Sequence, residues 1–212
     1  MLCGYPWIIY CAPQQVDRFG REWLRGAVYM RDVAVYIIAM TSSTKRPSPT
    51  YKFDATPHIL IVEGRFYDDI ADRLLQGARA VLERVGATHD VLTVPGAMEI
   101  PSAILYSVKG LDYDAIRRRY DGYVALGCVL KGDTMHDQIV GEGSARGLQE
   151  IALRYSLAIG NGLLTCNTHE QAMERADPAR LDRAGAAAEA CLRLIEIKHH
   201  FKLSPKRRWV GR

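Results

Sequence analysis

The chain has 212 residues, 48% of them hydrophobic, which suits one domain with a real core and room for an appendage. Its formal net charge is +4, but residues 198–212 hold six Lys or Arg and no acid, whereas residues 58–197 hold fifteen basic and twenty acidic residues. The basic balance thus belongs to the ends and says nothing of nucleic acid or membrane contact by the core, while five widely spaced cysteines without a CxxC pair argue against a metal site or disulfide framework and for a reduced, cytoplasmic compartment.

Residues 1–57 read as an N-terminal extension and linker. Residues 1–39 carry Trp7, Trp23 and the apolar runs WIIYCA and VAVYIIAM, neither long enough to span a bilayer. From Met40 the polar, Ser-, Thr- and Pro-rich stretch TSSTKRPSPTYKFDATP reads as the disordered start of a protein. The expectation is that Met40 is the natural start and residues 1–39 are not native; the competing reading is a short added element packed on the domain. At the other end, residues 202–212 form a basic tail whose simplest account is a frayed terminus.

From His58 the pattern becomes regular. HILIVE (58–63) is a short apolar strand, and residues 67–85 follow with Ile70, Leu74, Leu75, Ala78, Val81, Leu82 and Val85 at helical spacing. Gly86 stops that helix. THDVLTV (88–94) is a second strand, ended by Pro95-Gly96. Residues 97–108 are helical with Pro101 in the first turn, and 109–120 form a polar connection. DGYVALGCVL (121–130) is a third buried strand, with Cys128 as a small buried hydrophobe. A helix is expected over 143–155, a fourth strand over 157–165, a short helix over 168–175 and a long one over 183–200. Strands followed by crossover helices imply a parallel sheet with helices on both faces and ligands at the carboxyl ends of the strands.

That rule gathers four stretches on one rim: residues 64–66, 95–99, 132–136 and 165–167. The turn Lys131-Gly132-Asp133-Thr134 offers backbone N–H groups, a hydroxyl and an ammonium, a set able to hold phosphate although it lacks P-loop spacing; equally, Asp133 could cap the next helix. His136 is the rim histidine. It suits proton transfer near neutrality, and a solvated surface histidine is the plainer alternative. Phe66 either covers the sheet end or stacks on a planar heterocycle. Glu99 suits a helix start. Arg175 either fixes a helix end or binds phosphate. His58 and His89, at the other ends of their strands, read as structural or exposed.

The segments GRF (64–66), VPGAMEIP (94–101), GCVLKGDTMH (127–136), GLLT (162–165) and EQAMERA (170–176), in this order and spacing, resemble those of the 6,7-dimethyl-8-ribityllumazine synthase family of riboflavin biosynthesis. The resemblance covers residues 58–201. It implies an α/β fold, a flavodoxin-like three-layer sandwich with a four-stranded parallel sheet. It also implies condensation of 5-amino-6-(D-ribitylamino)uracil with 3,4-dihydroxy-2-butanone 4-phosphate to 6,7-dimethyl-8-ribityllumazine, phosphate and water, with no metal or organic cofactor. Phe66 then matches the aromatic on the pyrimidine. Ala97, Met98 and Glu99 match the ribityl-binding segment, and Cys128, Val129 and Leu130 the segment facing the pyrimidine. Asp133 and Thr134 match the phosphate turn, and His136 the proton-transfer residue. Arg175 matches a phosphate-binding arginine from the neighbouring subunit. Arg183 stands where a lysine is common, and Asn161 where many members place an aromatic from the adjacent subunit. The implied partners are the two small-molecule substrates, further copies of the chain in a homopentamer or an icosahedral shell with sites between subunits, and riboflavin synthase; nucleic acid and membrane are not expected.

The chain departs from the family pattern in places. His136 is followed by Asp137-Gln138, so the usual acid has moved one position and would point about 100° away on a helix. Glu142-Gly143 stands for Asn-Glu, Cys166-Asn167-Thr168 for Thr-Glu-Asn, and Met98 for an aromatic or leucine. These changes leave open a lumazine- or flavin-binding protein, or a shell-forming scaffold with weak catalysis.

Overall fold

The structure is a computed structural model that describes residues 50, 51, 53, 55–110 and 120–203. The expectations for residues 1–39, for most of the linker and basic tail, and for the connection 111–119 lie outside the described residues.

Among the described residues, four parallel strands form one sheet: β1 (His58–Gly64), β2 (Thr88–Val94), β3 (Gly122–Leu130) and β4 (Ile159–Cys166), in the order β2-β1-β3-β4. All of β1 and the first seven residues of β3 are buried, which is why both read as nearly continuous apolar runs. β2 is an edge strand, partly exposed along its length, and tolerates Thr, His and Asp. Glu63 pairs in register with Thr93 on β2 and with Leu126 on β3.

Among the described residues, five helices cover the sheet. α1 (Asp68–Arg84) has Asp68 and Asp69 in its first turn and Arg84 in its last, both favourable to the helix dipole. The chain leaves it through Gly86 at φ +73°, a conformation that suits glycine. A single 3₁₀ turn, Ala97–Glu99, leads into α2 (Ile100–Lys109), with Pro101 in its first turn. α3 spans His136–Arg154. α4 (His169–Ala176) starts at Thr168, whose hydroxyl accepts from the Gln171 N–H at 3.3 Å, and α5 (Arg183–His200) starts at Asp182, whose carboxylate accepts from the Gly185 N–H at 3.0 Å.

One core cluster joins Ile59, Ile61, Val124 and Leu126 of the sheet to α1, α4 and α5 through Leu74, Leu82, Ala172, Leu192 and Ile195. The other joins Leu60, Val62 and Ala125 to α2 and α3 through Ile100, Ile104, Leu148 and Ile151. The result is an α/β sandwich of the flavodoxin-like kind. Tyr51 and Phe53 stack with centroids 5.7 Å apart and pack on the first cluster, and the Tyr51 hydroxyl donates to the Glu189 carbonyl at 3.3 Å.

The structure departs from the sequence expectation at α3, which begins at His136 rather than Gly143. Gly141, Gly143 and Gly147 weaken any helical reading of this segment. In the fold they are contact points. A Cβ on Gly147 would sit 3.1 Å from the Pro101 ring, one on Gly143 3.3 Å from the Met98 methyl, and one on Gly141 3.0 Å from the Thr165 methyl. Tertiary packing therefore carries the helix back to His136. β4 starts two residues later than its composition suggested; a side chain at Gly160 would run into the Ala187 carbonyl of α5.

β1 leads into α1 on one face, and its neighbour β3 leads into α3 on the other. The connections thus diverge at the carboxyl ends of β1 and β3. A crevice at such a switch point is where open α/β sheets bind ligands.

Candidate active site

The crevice is a cavity of about 420 Å³. Phe66 and Tyr67 come from the β1–α1 turn, Pro95 to Glu99 from the β2–α2 connection, and Cys128, Val129 and Leu130 from the end of β3. Gly132, Thr134, His136, Asp137 and Val140 come from the next turn and the start of α3. The turns after β1 and β2 touch backbone to backbone: a Cβ on Gly64 would lie 2.7 Å from the Gly96 carbonyl carbon. Phe66 is 72% exposed and meets the Tyr67 ring edge-on at 4.9 Å, so it stands as an open aromatic wall. Met98 is also exposed, and its sulfur lies 3.9 Å from the Ser144 hydroxyl of α3.

At the opposite side, the Thr134 hydroxyl accepts from the His136 N–H at 3.4 Å, just before α3. His136 is the first residue of that 19-residue helix, at the positive end of its dipole. Cys128 forms part of the floor and is 8% exposed. Burial pushes its thiol up to about 12, so at neutral pH it is a protonated apolar surface rather than a nucleophile. Burial also raises the Cys166 thiol, and the nearby Arg175 charge offsets part of that rise.

A second cavity of about 400 Å³ lies beside the first, lined by Val129, Lys131, Asp137, Gln138, Gly141, Glu142, Thr165, Cys166 and Asn167. Val129 and Asp137 border both. Three of the four rim stretches therefore line the first cavity, and the fourth, after β4, lines the second. The acid that the sequence shows one place early still borders the His136 cavity as Asp137, while Gln138 borders only the second.

Nine of the thirteen candidate residues line the first cavity: Phe66, Ala97, Met98, Glu99, Cys128, Val129, Leu130, Thr134 and His136. The other four do not. Asp133 is exposed on the turn between Gly132 and Thr134. Asn161 sits mid-strand opposite Ala125, and its side-chain oxygen accepts from the Leu163 N–H at 3.0 Å. Arg175 donates to the Gln171 carbonyl at 3.2 Å, one turn back along α4. Arg183 follows Asp182, which lies against Gly77 in the middle of α1. His58 is a structural histidine: it is buried at the far end of β1, with Nδ1 2.8 Å from the Thr88 hydroxyl and Nε2 3.1 Å from Asp90.

Sequence reasoning did not single out Tyr67 or Val140. Tyr67 directly follows Phe66 at the start of α1, and Val140 is one helical turn after His136, a relation visible only once α3 is known to begin there. Among the described residues, no cluster of three or more His, Cys, Asp or Glu is placed to hold a metal ion, and no helix is long and apolar enough to cross a membrane.

Residues 56–199 match the family model described as 6,7-dimethyl-8-ribityllumazine synthase. The chain is 53% identical over 142 residues to the 6,7-dimethyl-8-ribityllumazine synthase of Agrobacterium fabrum, covering 67% of this chain and 95% of that protein. It is 52% identical over 144 residues to 6,7-dimethyl-8-ribityllumazine synthase 1 of Rhizobium meliloti, covering 68% and 93%. For the enzyme of that name from Paramagnetospirillum magneticum the identity is 44% over 146 residues, covering 69% and 97%. The motifs around the cavity, the family match across most of the domain and relatives covered almost end to end agree: this chain belongs to the 6,7-dimethyl-8-ribityllumazine synthase family.

Proposed function

We propose that this chain condenses 5-amino-6-(D-ribitylamino)uracil with 3,4-dihydroxy-2-butanone 4-phosphate to give 6,7-dimethyl-8-ribityllumazine, phosphate and water. The observation that carries this reading is the convergence of Phe66, residues 97–99, residues 128–130, Thr134 and His136 on one cavity. An apolar slot with an aromatic wall suits the flat pyrimidine, and Glu99 at its edge suits the hydroxyls of the ribityl chain. The main chain at Asp133, the Thr134 hydroxyl and the start of α3 suit a phosphate, because helix N-termini present unpaired N–H groups and a positive dipole end.

The aryl amine attacks the ketone, and loss of water leaves an imine. Loss of the C3 proton and elimination of phosphate leave an enol, which tautomerises to a new carbonyl at C3; the ribitylamino nitrogen attacks that carbonyl, and a second water leaves as the ring closes. Each step needs protons moved over short distances at neutral pH, and His136 serves as the carrier. Holding both reactants in one crevice supplies much of the barrier reduction. Asp137 borders the same cavity and is the carboxylate nearest in sequence to the displaced acid's place.

The active unit is a homo-oligomer, a pentamer in the simplest case. Arg175 and Arg183, outside the cavity of their own chain, then serve the phosphate end of a neighbour's site, and Asn161 faces it in place of an aromatic. The exposed apolar residues Tyr106, Met135, Ile139 and Leu153 on and beside α2 and α3 support such an assembly. The enzyme works in the cytoplasm and hands its product to riboflavin synthase.

The test mixes purified protein with the two substrates and follows lumazine absorbance together with phosphate release. The expected result is stoichiometric formation of both, well above the uncatalysed rate. Lumazine or flavin binding without acceleration would instead establish a binding or scaffold protein.

A further inference from the structure

We infer that Arg65 is a positioning residue, which holds the aromatic wall of the cavity by tying its turn to both the sheet and α1. The inference rests on the proposed condensation for its kinetic reading, but the clamp is visible in the fold. Arg65 is one residue before Phe66. Its Nε donates to Asp68 at 3.0 Å, its Nη1 to the Glu63 carboxylate at 3.3 Å, and its Nη2 to Asp72. Its backbone N–H donates to the Val94 carbonyl at 3.0 Å, extending the β1–β2 pairing one residue into the turn. Glu63 in turn accepts from the Thr93 hydroxyl at 2.9 Å. Arg65 thus joins β1 and two turns of α1 through its guanidinium, and β2 through its backbone N–H.

Burial marks which contact matters most. The Glu63 side chain is 4% exposed, against 80% for Asp68 and 68% for Asp72. An exposed pair contributes little, whereas a buried carboxylate stripped of its partner is strongly unfavourable. Glu63 therefore needs Arg65 and Thr93, and this need fixes the Arg65 backbone. Phe66 has no such anchor of its own: its ring touches Tyr67 and otherwise stands open. The three carboxylates outnumber the single guanidinium and hold it fully charged, so Arg65 is not available to a phosphate.

The experiment compares Arg65→Ala, Arg65→Lys and Thr93→Val with wild type, measuring KM for each substrate, kcat and the affinity for 6,7-dimethyl-8-ribityllumazine by fluorescence titration. Arg65→Ala should raise KM for the pyrimidine and weaken lumazine binding, each by about tenfold or more, because a loosened wall misplaces the ring. The KM for the phosphosugar and kcat should stay within about threefold. Arg65→Lys, which keeps the charge but loses the fork, should fall between. Thr93→Val should shift the same two quantities by a smaller factor, and with Arg65→Lys it carries the reading if Arg65→Ala does not fold. Equal increases in both KM values, or unchanged lumazine affinity, would overturn the positioning role. Wild-type protein that binds the lumazine without turnover would sink the proposed reaction while the titration still decides the clamp; wild type that does neither sinks both.

Discussion

Against α1 and α5, Ile59, Ile61, Ile70, Leu74, Leu82, Val124 and Leu192 lose all solvent contact, and at Gly160 strand and helix backbones nearly touch. Against α2 and α3 the cluster is smaller, and Tyr106, Met135, Ile139 and Leu153 on or next to those helices stay exposed. The first face is the more tightly packed, although Leu194, Phe201 and Leu203 on or after α5 stay exposed. The second leaves an apolar patch open, which the proposed assembly would cover, and the candidate site opens beside it.

The largest expected effect tests the tightly packed face. Gly160→Val forces a side chain into the Ala187 backbone and should destabilise the fold by about 3 kcal/mol or more, read by chemical denaturation. A loss below about 1 kcal/mol would show that α5 is not seated as described. Next comes the open face. His136→Ala should lower kcat by about a hundredfold or more while leaving the denaturation midpoint nearly unchanged. Unchanged turnover would remove His136 from the mechanism. Leu153→Glu, at a position 73% exposed in the single chain, should shift the assembly toward smaller species by native mass spectrometry, with lost activity following the lost neighbour. An intact assembly would show that this patch is not an interface.

The smallest effect returns to the tightly packed face and concerns pH. Cys191 is fully buried on α5, and burial pushes its thiol from 9.0 up to about 12. Between those values the unfolded chain releases a proton that the folded chain retains. Stability must then fall as pH rises through that window, by about 1 kcal/mol at pH 10. Cys191→Ala should flatten this alkaline slope in pH-dependent denaturation. An unchanged slope would mean that the thiol is not sealed from water.

Much of this architecture is legible in the sequence, for identifiable reasons. β1 and β3 are buried on both faces, so each is a nearly unbroken apolar run. α1 has one face on the core, so Ile70, Leu74, Ala78 and Leu82 recur at helical spacing. The first turns of α3 were hidden because Gly141, Gly143 and Gly147 serve packing against other segments, a relation that local composition does not express. The same limit hid Val140. Glu63, Arg65 and Thr93 were not linked in the sequence because their contact depends on the register between β1 and β2 and on where α1 begins. The motif residues of the cavity were legible through family likeness, and their convergence follows from topology: they end neighbouring parallel strands.

The glycines of α3 have a consequence for redesign. They let the helix backbone close on Met98, Pro101 and Thr165 without intervening side chains. The gap beside the cavity is therefore set by these three side chains, Met98 of the lining among them, resting on bare helix backbone. Trimming Met98 would loosen the seat of α3 at Gly143, whereas trimming a lining residue that does not touch α3 would leave only a local dent. Admitting a larger heterocycle requires the whole helix to be displaced, for which a bulkier residue at one of these three positions is the available wedge.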